Sequence, residues 1–284
     1  MSQTEEVKVL KPKRTPPRLT QVLRTYDVSP AIRRVVLGGE ALREFPADRN
    51  GAHIKVFLPL AGQAQPVLPK LGPKGPVWPP QHVRPITRTY SVRHYCAAKN
   101  ELAVDFVLHG DDSPAAGWAN NAKPGDFLGI AGPGGPNPLL APAVHHVLVG
   151  DLTALPAIAA LLELLDENAH ALVFLWVPED KEAAHKAMTL HHPSGVKIVW
   201  LSSAQNQCTS CVLQAVQQQV PKAWQGDLSA FIAGENSLVL NVRQFLCDEF
   251  NLNKSLMYAT PYWRYGQDEE TYHQERHRIM DQIY

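Results

Sequence analysis

The stretch Val147-Leu-Val-Gly-Asp-Leu-Thr-Ala-Leu-Pro-Ala-Ile158 determines how the second half of this chain folds. An apolar run ends at Gly150, and after Thr153 apolar residues recur with helical spacing. A buried strand that passes directly into a helix is the start of a βαβ unit. Outward from it, further apolar strands are predicted at 172–177, 196–201, 231–234 and 255–258. We therefore expect a parallel sheet covered by helices.

The residues before position 140 have the pattern of short β-strands. Seven prolines in residues 66 to 85 exclude a central strand there and predict a long surface loop. The strands are predicted at 19–28, 32–37, 53–58, 86–94, 102–109 and 127–131. Six such strands suggest an antiparallel β-barrel.

The chain of 284 residues has the length of two ordinary domains. We predict a flexible tail over residues 1–16, the barrel domain over residues 17–140 and the α/β domain over residues 141–266. Residues 267–284 are a polar C-terminal extension, for which we predict a surface helix.

Composition narrows the functional classes. With 27 Lys+Arg against 27 Asp+Glu, the chain does not have the basic character of a general nucleic-acid binder. The apolar stretch 152–162 is too short to span a bilayer, and we find no signal segment. We therefore predict a cytoplasmic protein without membrane insertion.

The four cysteines are too few for a disulfide scaffold, and nothing completes a metal site around Cys208 and Cys211, whose role stays open.

The two halves of the chain differ in charge. Residues 1 to 140 carry 18 Lys/Arg and 11 Asp/Glu, whereas residues 141 to 284 carry 9 and 16. A basic half suits anionic ligands, although runs of charge are commonly solvated surfaces.

The strongest local signal for chemistry is Arg88-Thr-Tyr-Ser91 on a predicted strand. Strand alternation places Arg88 and Tyr90 on one face and Ser91 on the other. A cation for phosphate, an aromatic plane for a ring and a hydroxyl for a ring nitrogen are what a flavin dinucleotide requires. The alternative is an Arg and a Tyr on a solvated strand face.

The ordered set of motifs resembles the siderophore-interacting protein family, which are FAD-dependent ferric-siderophore reductases of the ferredoxin-reductase superfamily. The resemblance covers residues 20–266, nearly the whole chain. The motifs are Arg88-x-Tyr-Ser, Asp105-Phe-Val-Leu-His-Gly, Pro114-Ala-x-x-Trp-Ala, Pro124-Gly-Asp, Gly132-Pro, Gly150-Asp-x-Thr-Ala-Leu-Pro-Ala-Ile, Ala233-Gly-Glu and Tyr262-Trp-Arg-x-Gly.

This resemblance implies an FAD-binding barrel and assigns its cofactor residues. It places Arg88, Tyr90 and Ser91 at the flavin ring and its phosphate side. Ala116 stands where a phosphate-binding Ser is common in the family, so backbone N–H groups of the helix must do more of the phosphate binding. The other implied FAD residues are Asp105, Phe106, Val107 and His109 at the adenine and ribose, Pro114, Ala115, Ala116 and Trp118 at the pyrophosphate, and Thr153.

The second half is similar to a nicotinamide domain, although it has no Gly-x-Gly-x-x-Gly fingerprint. Leu152 replaces the acidic residue usual in the family, and a reduced ferredoxin is the alternative electron donor. The acidic turn 178–180 lacks an Arg for a 2′-phosphate and so favours NADH over NADPH. The implied donor-side residues are Gly150, Asp151, Ala154, Pro156, Gly234 and Glu235.

Lys55 and Arg264 match positions where family members hold an anionic ferric siderophore. Lys55 has the alternative of a solvated strand position, and Arg264 that of stacking on Trp263 or pairing with the acids at 268–270. Gly134 and Gly135 follow Gly132-Pro133, where some relatives carry a further basic residue, so the site is expected to be one cation poorer.

The sequence therefore predicts an FAD-dependent ferric-siderophore reductase that releases iron as Fe(II). Electron transfer needs closeness and a suitable potential but no general acid or base, so no catalytic residue is assigned. The alternatives are a flavoprotein reductase for a ferredoxin or flavodoxin partner, and a non-catalytic ferric-siderophore carrier.

Overall fold

The structure, a computed structural model, describes residues 15–73, 75–108, 113–181, 188–267 and 269–283. His109 and nearly all of the predicted N-terminal tail lie outside these ranges. The described chain forms a seven-stranded antiparallel sheet, a five-stranded parallel sheet and a small two-stranded hairpin.

The described part of the first half contains nine strands and one α-helix. Seven strands form the sheet in the order β6-β3-β9-β1-β2-β8-β7, and the hairpin β4–β5 lies within the proline-rich segment. The elements are β1 (Arg18–Ser29), β2 (Ile32–Gly38), β3 (His53–Leu58), β4 (Lys70–Gly72), β5 (Gly75–Val77), β6 (Ile86–Ser91), β7 (His94–Cys96), β8 (Glu101–Val107), α1 (Pro114–Asn121) and β9 (Phe127–Gly134).

The prediction of six strands was wrong by one, because the predicted strand 86–94 is two strands. Its backbone changes partner after β6: Val92 donates its N–H to the Ala52 carbonyl at 2.8 Å, and Arg93 donates to Ala103 of β8 at 3.0 Å. The sheet also curls, since Tyr90 of the edge strand β6 contacts Phe106 of β8 with ring centroids 4.3 Å apart. The result is a barrel-like domain around an apolar interior.

The second half is the predicted α/β domain. Its strands run parallel in the order β12-β11-β10-β13-β14, so the direction of winding reverses beside β10. In such sheets the crevice at the carboxyl ends of the strands is the usual ligand site. The elements are β10 (His145–Gly150), α2 (Leu155–Leu162), β11 (His170–Pro178), β12 (Val196–Ser203), α3 (Cys208–Gln219), β13 (Leu228–Glu235), α4 (Asn236–Phe250) and β14 (Met257–Trp263).

The C-terminal segment forms a helix, α5 (Glu269–Ile283), as its polar pattern predicts. It is not wholly a surface element, because the side chain of Tyr272 is only 1% exposed. The Tyr272 hydroxyl donates a hydrogen bond to Asn236 Oδ1 at the start of α4, at 3.0 Å. The helix is therefore docked against the carboxyl end of the parallel sheet. Within the described residues, no helix is long and apolar enough to cross a membrane.

Candidate functional site

A cavity of about 590 Å³ lies between the barrel and the carboxyl ends of the parallel strands. This volume is within the usual range for small-molecule sites. The barrel contributes residues of β3, β6, β8 and the start of α1. The α/β domain contributes the ends of β10, β11 and β14, and α5 closes one side.

The barrel wall has an aromatic surface supported from behind. Tyr90 lines the cavity, and its ring lies 4.3 Å from that of Phe106, which lies 5.6 Å from Trp118. Phe106 is fully buried and does not reach the cavity. Phe106 and Trp118, both predicted cofactor residues, therefore fix the orientation of Tyr90. Arg88 lines the cavity beside it.

Ser91 also lines the cavity, although strand alternation placed it on the face opposite Tyr90. It is the last residue of β6, and from there it forms a hydrogen bond with Tyr262 of β14. Burial and the neighbouring hydroxyl of Tyr258 raise the pKa of Tyr262 well above its ordinary value. Ser91 therefore joins the two domains at the cavity floor as a neutral hydrogen-bonding partner.

The helix α1 begins at the cavity edge. Ser113 and Ala115 line the cavity, and Pro114 occupies the first turn. Ser113 makes no side-chain cap, so the N–H groups of the first turn retain their capacity to bind an anion. Ala116 is fully buried and does not line the cavity.

Asp105 lines the cavity, but its carboxylate is already engaged. Arg34 donates to it twice, from Nε at 2.6 Å and from Nη2 at 2.8 Å. Arg93 Nε lies 4.0 Å from the second oxygen. Val107, two residues further along β8, also lines the cavity. The negative charge that Asp105 brings to the cavity is thus paired with the guanidinium of Arg34.

Asp151 holds together the carboxyl ends of three strands. Its Oδ1 accepts hydrogen bonds from the Thr153 N–H at 2.8 Å and the Thr153 hydroxyl at 2.6 Å. Its Oδ2 accepts from the Glu235 N–H and the Trp263 indole N–H, both at 2.8 Å. Gly234 has φ +126°, and a Cβ there would lie 2.5 Å from Oδ2, so only glycine fits. Burial raises the pKa of Asp151.

Glu235 is likewise part of the framework. Its side chain caps α4 by accepting from the N–H groups of Ser237 at 2.6 Å and Leu238 at 3.1 Å. Of the predicted donor-side residues, Asp151 and Pro156 line the cavity, as does Thr153. The others lie outside its wall: Gly150, Ala154, Gly234 and Glu235.

Three residues that sequence reasoning missed extend the cavity along the parallel sheet. Trp176 and Pro178 lie at the end of β11, and Gln205 follows β12. Trp176 donates its indole N–H to Ser203 at 2.8 Å, whereas the buried Gln205 amide nitrogen has no hydrogen-bond partner within the part of the chain that the structure describes. An unpaired buried donor is costly, so Gln205 suits a ligand with an acceptor group. No motif in the sequence marks Trp176 or Gln205, whereas Pro178 opens the acidic turn 178–180.

The two predicted substrate cations have different environments. Lys55 donates from Nζ to the Thr89 hydroxyl at 2.6 Å, and Thr89 lines the cavity while Lys55 does not. Arg264 lines the cavity and forms an ion pair with Glu275 of α5. This pairing differs from both alternatives considered for Arg264.

The helix α5 adds Tyr272 and Arg276 to the cavity wall. They are four residues apart and so share a helix face, which is the only signal in the sequence that links them. Opposite them, His53 of β3 lines the cavity, and its pKa is lowered to about 4 by burial and by the charges of Lys55, Arg276 and Arg49.

The remaining polar candidates do not gather into a metal site. In the described ranges, no cluster of three or more His, Cys, Asp or Glu side chains is present. Cys208 is buried at the start of α3, and burial raises the pKa of its thiol. A thiol in that state is a poor nucleophile.

A curled antiparallel sheet domain followed by a five-stranded parallel sheet, with a cavity between them, is the two-domain fold found in ferredoxin reductases. Ferredoxin–NADP+ reductase from Plasmodium falciparum has this fold, with a TM-score of 0.60 over 87% of this chain and 96% of that chain at 12% identity. This likeness concerns the fold alone.

The chain belongs to the siderophore-interacting protein family, as its motifs predict. Residues 21–137 match the siderophore-interacting FAD-binding domain, and residues 143–266 match the siderophore-interacting protein domain. It is 43% identical to the ferric vibriobactin reductase of Vibrio cholerae over 94% of this chain and 96% of that protein.

Two further relatives extend the comparison. The NADPH-dependent ferric-chelate reductase of Escherichia coli is 32% identical over 85% of this chain and 91% of that protein. The solved siderophore-interacting protein SipS from Aeromonas hydrophila has a TM-score of 0.79 and 38% identity, covering 94% of this chain and 98% of that chain.

Proposed function

We propose that this protein is an FAD-dependent ferric-siderophore reductase of the cytoplasm, which converts Fe(III) in a siderophore complex to Fe(II). The observation that carries this proposal is the cavity, which brings Arg88 and Tyr90 of the barrel together with Arg264 of the α/β domain. The printed names of the relatives, as ferric vibriobactin and ferric-chelate reductases, agree with it.

The residues present fit FAD. Tyr90 offers an aromatic plane for a ring, held by its packing on Phe106. Arg88 offers a cation for a phosphate, and the uncapped start of α1 offers N–H groups for the pyrophosphate. These groups lie along one wall, so a single extended dinucleotide matches them.

FAD, when bound, supplies the ability to accept two electrons from a donor and pass them on singly. Hard oxygen ligands favour Fe(III) over Fe(II), so one electron delivered to the chelate weakens it. No proton has to move at iron, which agrees with the structural roles of Asp151 and Glu235. The work of the side chains is therefore to bind and orient both partners within one cavity.

The substrate is an anionic ferric chelate held by Arg264 and Lys55, and the electron donor is NADH or NADPH. The Gln205 amide nitrogen, which has no hydrogen-bond partner among the described residues, and the neighbouring Pro178 support a donor site at the carboxyl ends of β11 and β12. A reduced ferredoxin is the alternative donor, and it would leave this side without a small-molecule ligand.

The first test is the visible absorption spectrum of the purified protein, with release and identification of any chromophore. We expect oxidised FAD in near-stoichiometric amount, bleached anaerobically by NADH or NADPH and restored by ferric siderophore. Folded protein that stays colourless after incubation with FAD would exclude the reductase and leave a carrier. Reoxidation by a ferredoxin or flavodoxin but not by ferric chelates would favour the protein-acceptor alternative.

The substrate cations are tested separately. Lys55→Ala and Arg264→Ala should each raise the siderophore KM, with flavin content unchanged. Lys254→Ala is the matched control, because Lys254 is exposed just before the amino end of β14, the end remote from the cavity. An unchanged KM in both variants would refute the substrate assignment.

A further inference from the structure

The C-terminal helix α5 brings a second arginine to the cavity. Arg276 lines the same wall as Arg264, although the two are 12 positions apart in the chain. The docking of the helix sets this placement, since the buried Tyr272, one turn before Arg276, hydrogen-bonds to Asn236 at 3.0 Å. Arg276 is therefore held at the cavity by a fixed element.

Arg276 lies near the place where the sequence lacks a cation. His53 packs over Gly134 and Gly135: a Cβ on Gly134 would lie 2.4 Å from His53 Nε2, and a Cβ on Gly135 would lie 3.4 Å from Nδ1. The charge of Arg276 reaches this imidazole, where it helps to keep the pKa of His53 low. Arg276 and the His53 imidazole that packs on these glycines therefore line the same cavity.

The charged side chains at the cavity indicate what Arg276 contributes to anion binding. Glu275 pairs with Arg264 and so offsets one of the two cations expected to hold the substrate. Arg276 adds a second guanidinium to the residues that line the cavity together with Arg264. Two guanidinium groups on one cavity attract a multiply charged anion more strongly than one.

We propose that Arg276 is a substrate-binding residue that holds the anionic ferric chelate together with Arg264 and Lys55. This inference rests on the proposed function, since it names a further cation of the same site. The ligand class is a ferric chelate with a net negative charge, such as a tris-catecholate, in preference to a neutral tris-hydroxamate. Arg276 acts through its charge and its N–H donors.

The test compares Arg276→Gln with Arg278→Gln. Arg278 is exposed on the same helix two positions later, and it is the matched control for removing an arginine from α5. Each variant is assayed with two chelates, a ferric tris-catecholate of charge 3− and a neutral ferric tris-hydroxamate. Binding is measured separately with the gallium(III) forms, which have the same charge and do not turn over.

We expect Arg276→Gln to raise the KM and the gallium-chelate Kd for the tris-catecholate about tenfold. The values for the neutral chelate should change less than twofold. FAD content, the KM for the nicotinamide donor and the reduction of the flavin should match those of the parent, and Arg278→Gln should match it throughout. Arg276→Lys should restore part of the affinity, because it restores the charge.

Two results would overturn the inference. Equal values for Arg276→Gln and Arg278→Gln would show that Arg276 does not bind the chelate. Equal losses for both chelates, or a loss of FAD, would make it a residue that holds the fold or the flavin. If the parent protein binds gallium chelates but reduces neither ferric chelate, the proposed function fails, and the Kd values still decide the role of Arg276.

Discussion

Replacing Asp151 by Asn should destabilise the α/β domain, because its carboxylate joins the turn after β10 to the ends of β13 and β14. Each oxygen accepts two hydrogen bonds, Oδ1 from Thr153 and Oδ2 from Glu235 and Trp263. The carboxylate is 2% exposed, so water cannot take over these contacts. The substitution keeps the size of the side chain and changes only one oxygen to an amide nitrogen.

The magnitude follows from this pairing. If the new NH₂ group takes the place of Oδ2, it faces the N–H groups of Glu235 and Trp263, so two hydrogen bonds are lost. If it takes the place of Oδ1, the Thr153 hydroxyl can turn to accept from it, so only the bond from the Thr153 N–H is lost. The second orientation costs less, and a hydrogen bond to a charged group contributes about 1.5–3 kcal/mol, which sets the expected loss. Burial raises the pKa of Asp151, so removing the charge recovers part of its desolvation cost. We expect a net loss of about 2 kcal/mol in the free energy of unfolding.

The assay is urea unfolding followed by tryptophan fluorescence, with FAD content measured alongside. Asp166→Asn is the matched control, because Asp166 also accepts a backbone hydrogen bond, from Asn168 at 2.8 Å, but lies exposed in a turn. Its loss should stay below about 1 kcal/mol. A loss of less than 1 kcal/mol in Asp151→Asn, or one equal to that of the control, would refute the structural role assigned to this carboxylate.

Three further predictions concern packing, pH and the domain contact. Gly150→Ala should lose about 1–3 kcal/mol by thermal unfolding, since its Cβ would lie 2.6 Å from Ala154 Cβ; unchanged stability would contradict the packing. Because the pKa of His53 is about 4 in the folded chain and about 6.5 unfolded, the unfolded chain binds more protons between these values. Stability should therefore fall by roughly 3 kcal/mol as pH drops from 6.5 to 4, and His53→Gln should remove this contribution, whereas an unchanged pH profile would exclude it. Arg93 of the barrel domain donates two hydrogen bonds to the carboxylate of Glu163 in the α/β domain, at 2.5 Å and 3.0 Å. A double-mutant cycle on this pair should give a coupling free energy of about 1 kcal/mol, and a coupling of zero would show that the pair does not stabilise the contact between the domains.

The fold was largely predictable because its signals are local. The apolar run that ends at Gly150 and the stripe after Thr153 specify a strand and a helix through their spacing alone, and the structure has β10 and α2 there. The division of β6 from β7 was missed because it depends on a change of backbone partner at Val92. The spacing of residues in the sequence does not indicate that the Val92 N–H bonds to Ala52, beside β3, while the Arg93 N–H bonds to Ala103 of β8.

The site was predictable only in part, for a related reason. The motif residues Arg88, Tyr90 and Arg264 do line one cavity. Their partners could not be foreseen, because Glu275 and Arg276 reach it through the docking of a helix whose pattern is polar throughout. A helix whose sequence is polar throughout has no apolar stripe, so its sequence does not predict which face packs against the rest of the protein.

The net charge of each half of the chain does not predict which half supplies the arginines of the site. The half after residue 140 has more acids than bases, yet it supplies Arg264 and Arg276 to the cavity. Asp151 also lines the cavity, and Glu275 pairs with Arg264 there, so these acids offset part of the positive charge. The other acids of this half that the structure describes lie outside the cavity lining. Attraction for an anionic chelate therefore depends on which charged groups the fold brings to the cavity, and the net charge of a segment does not report it.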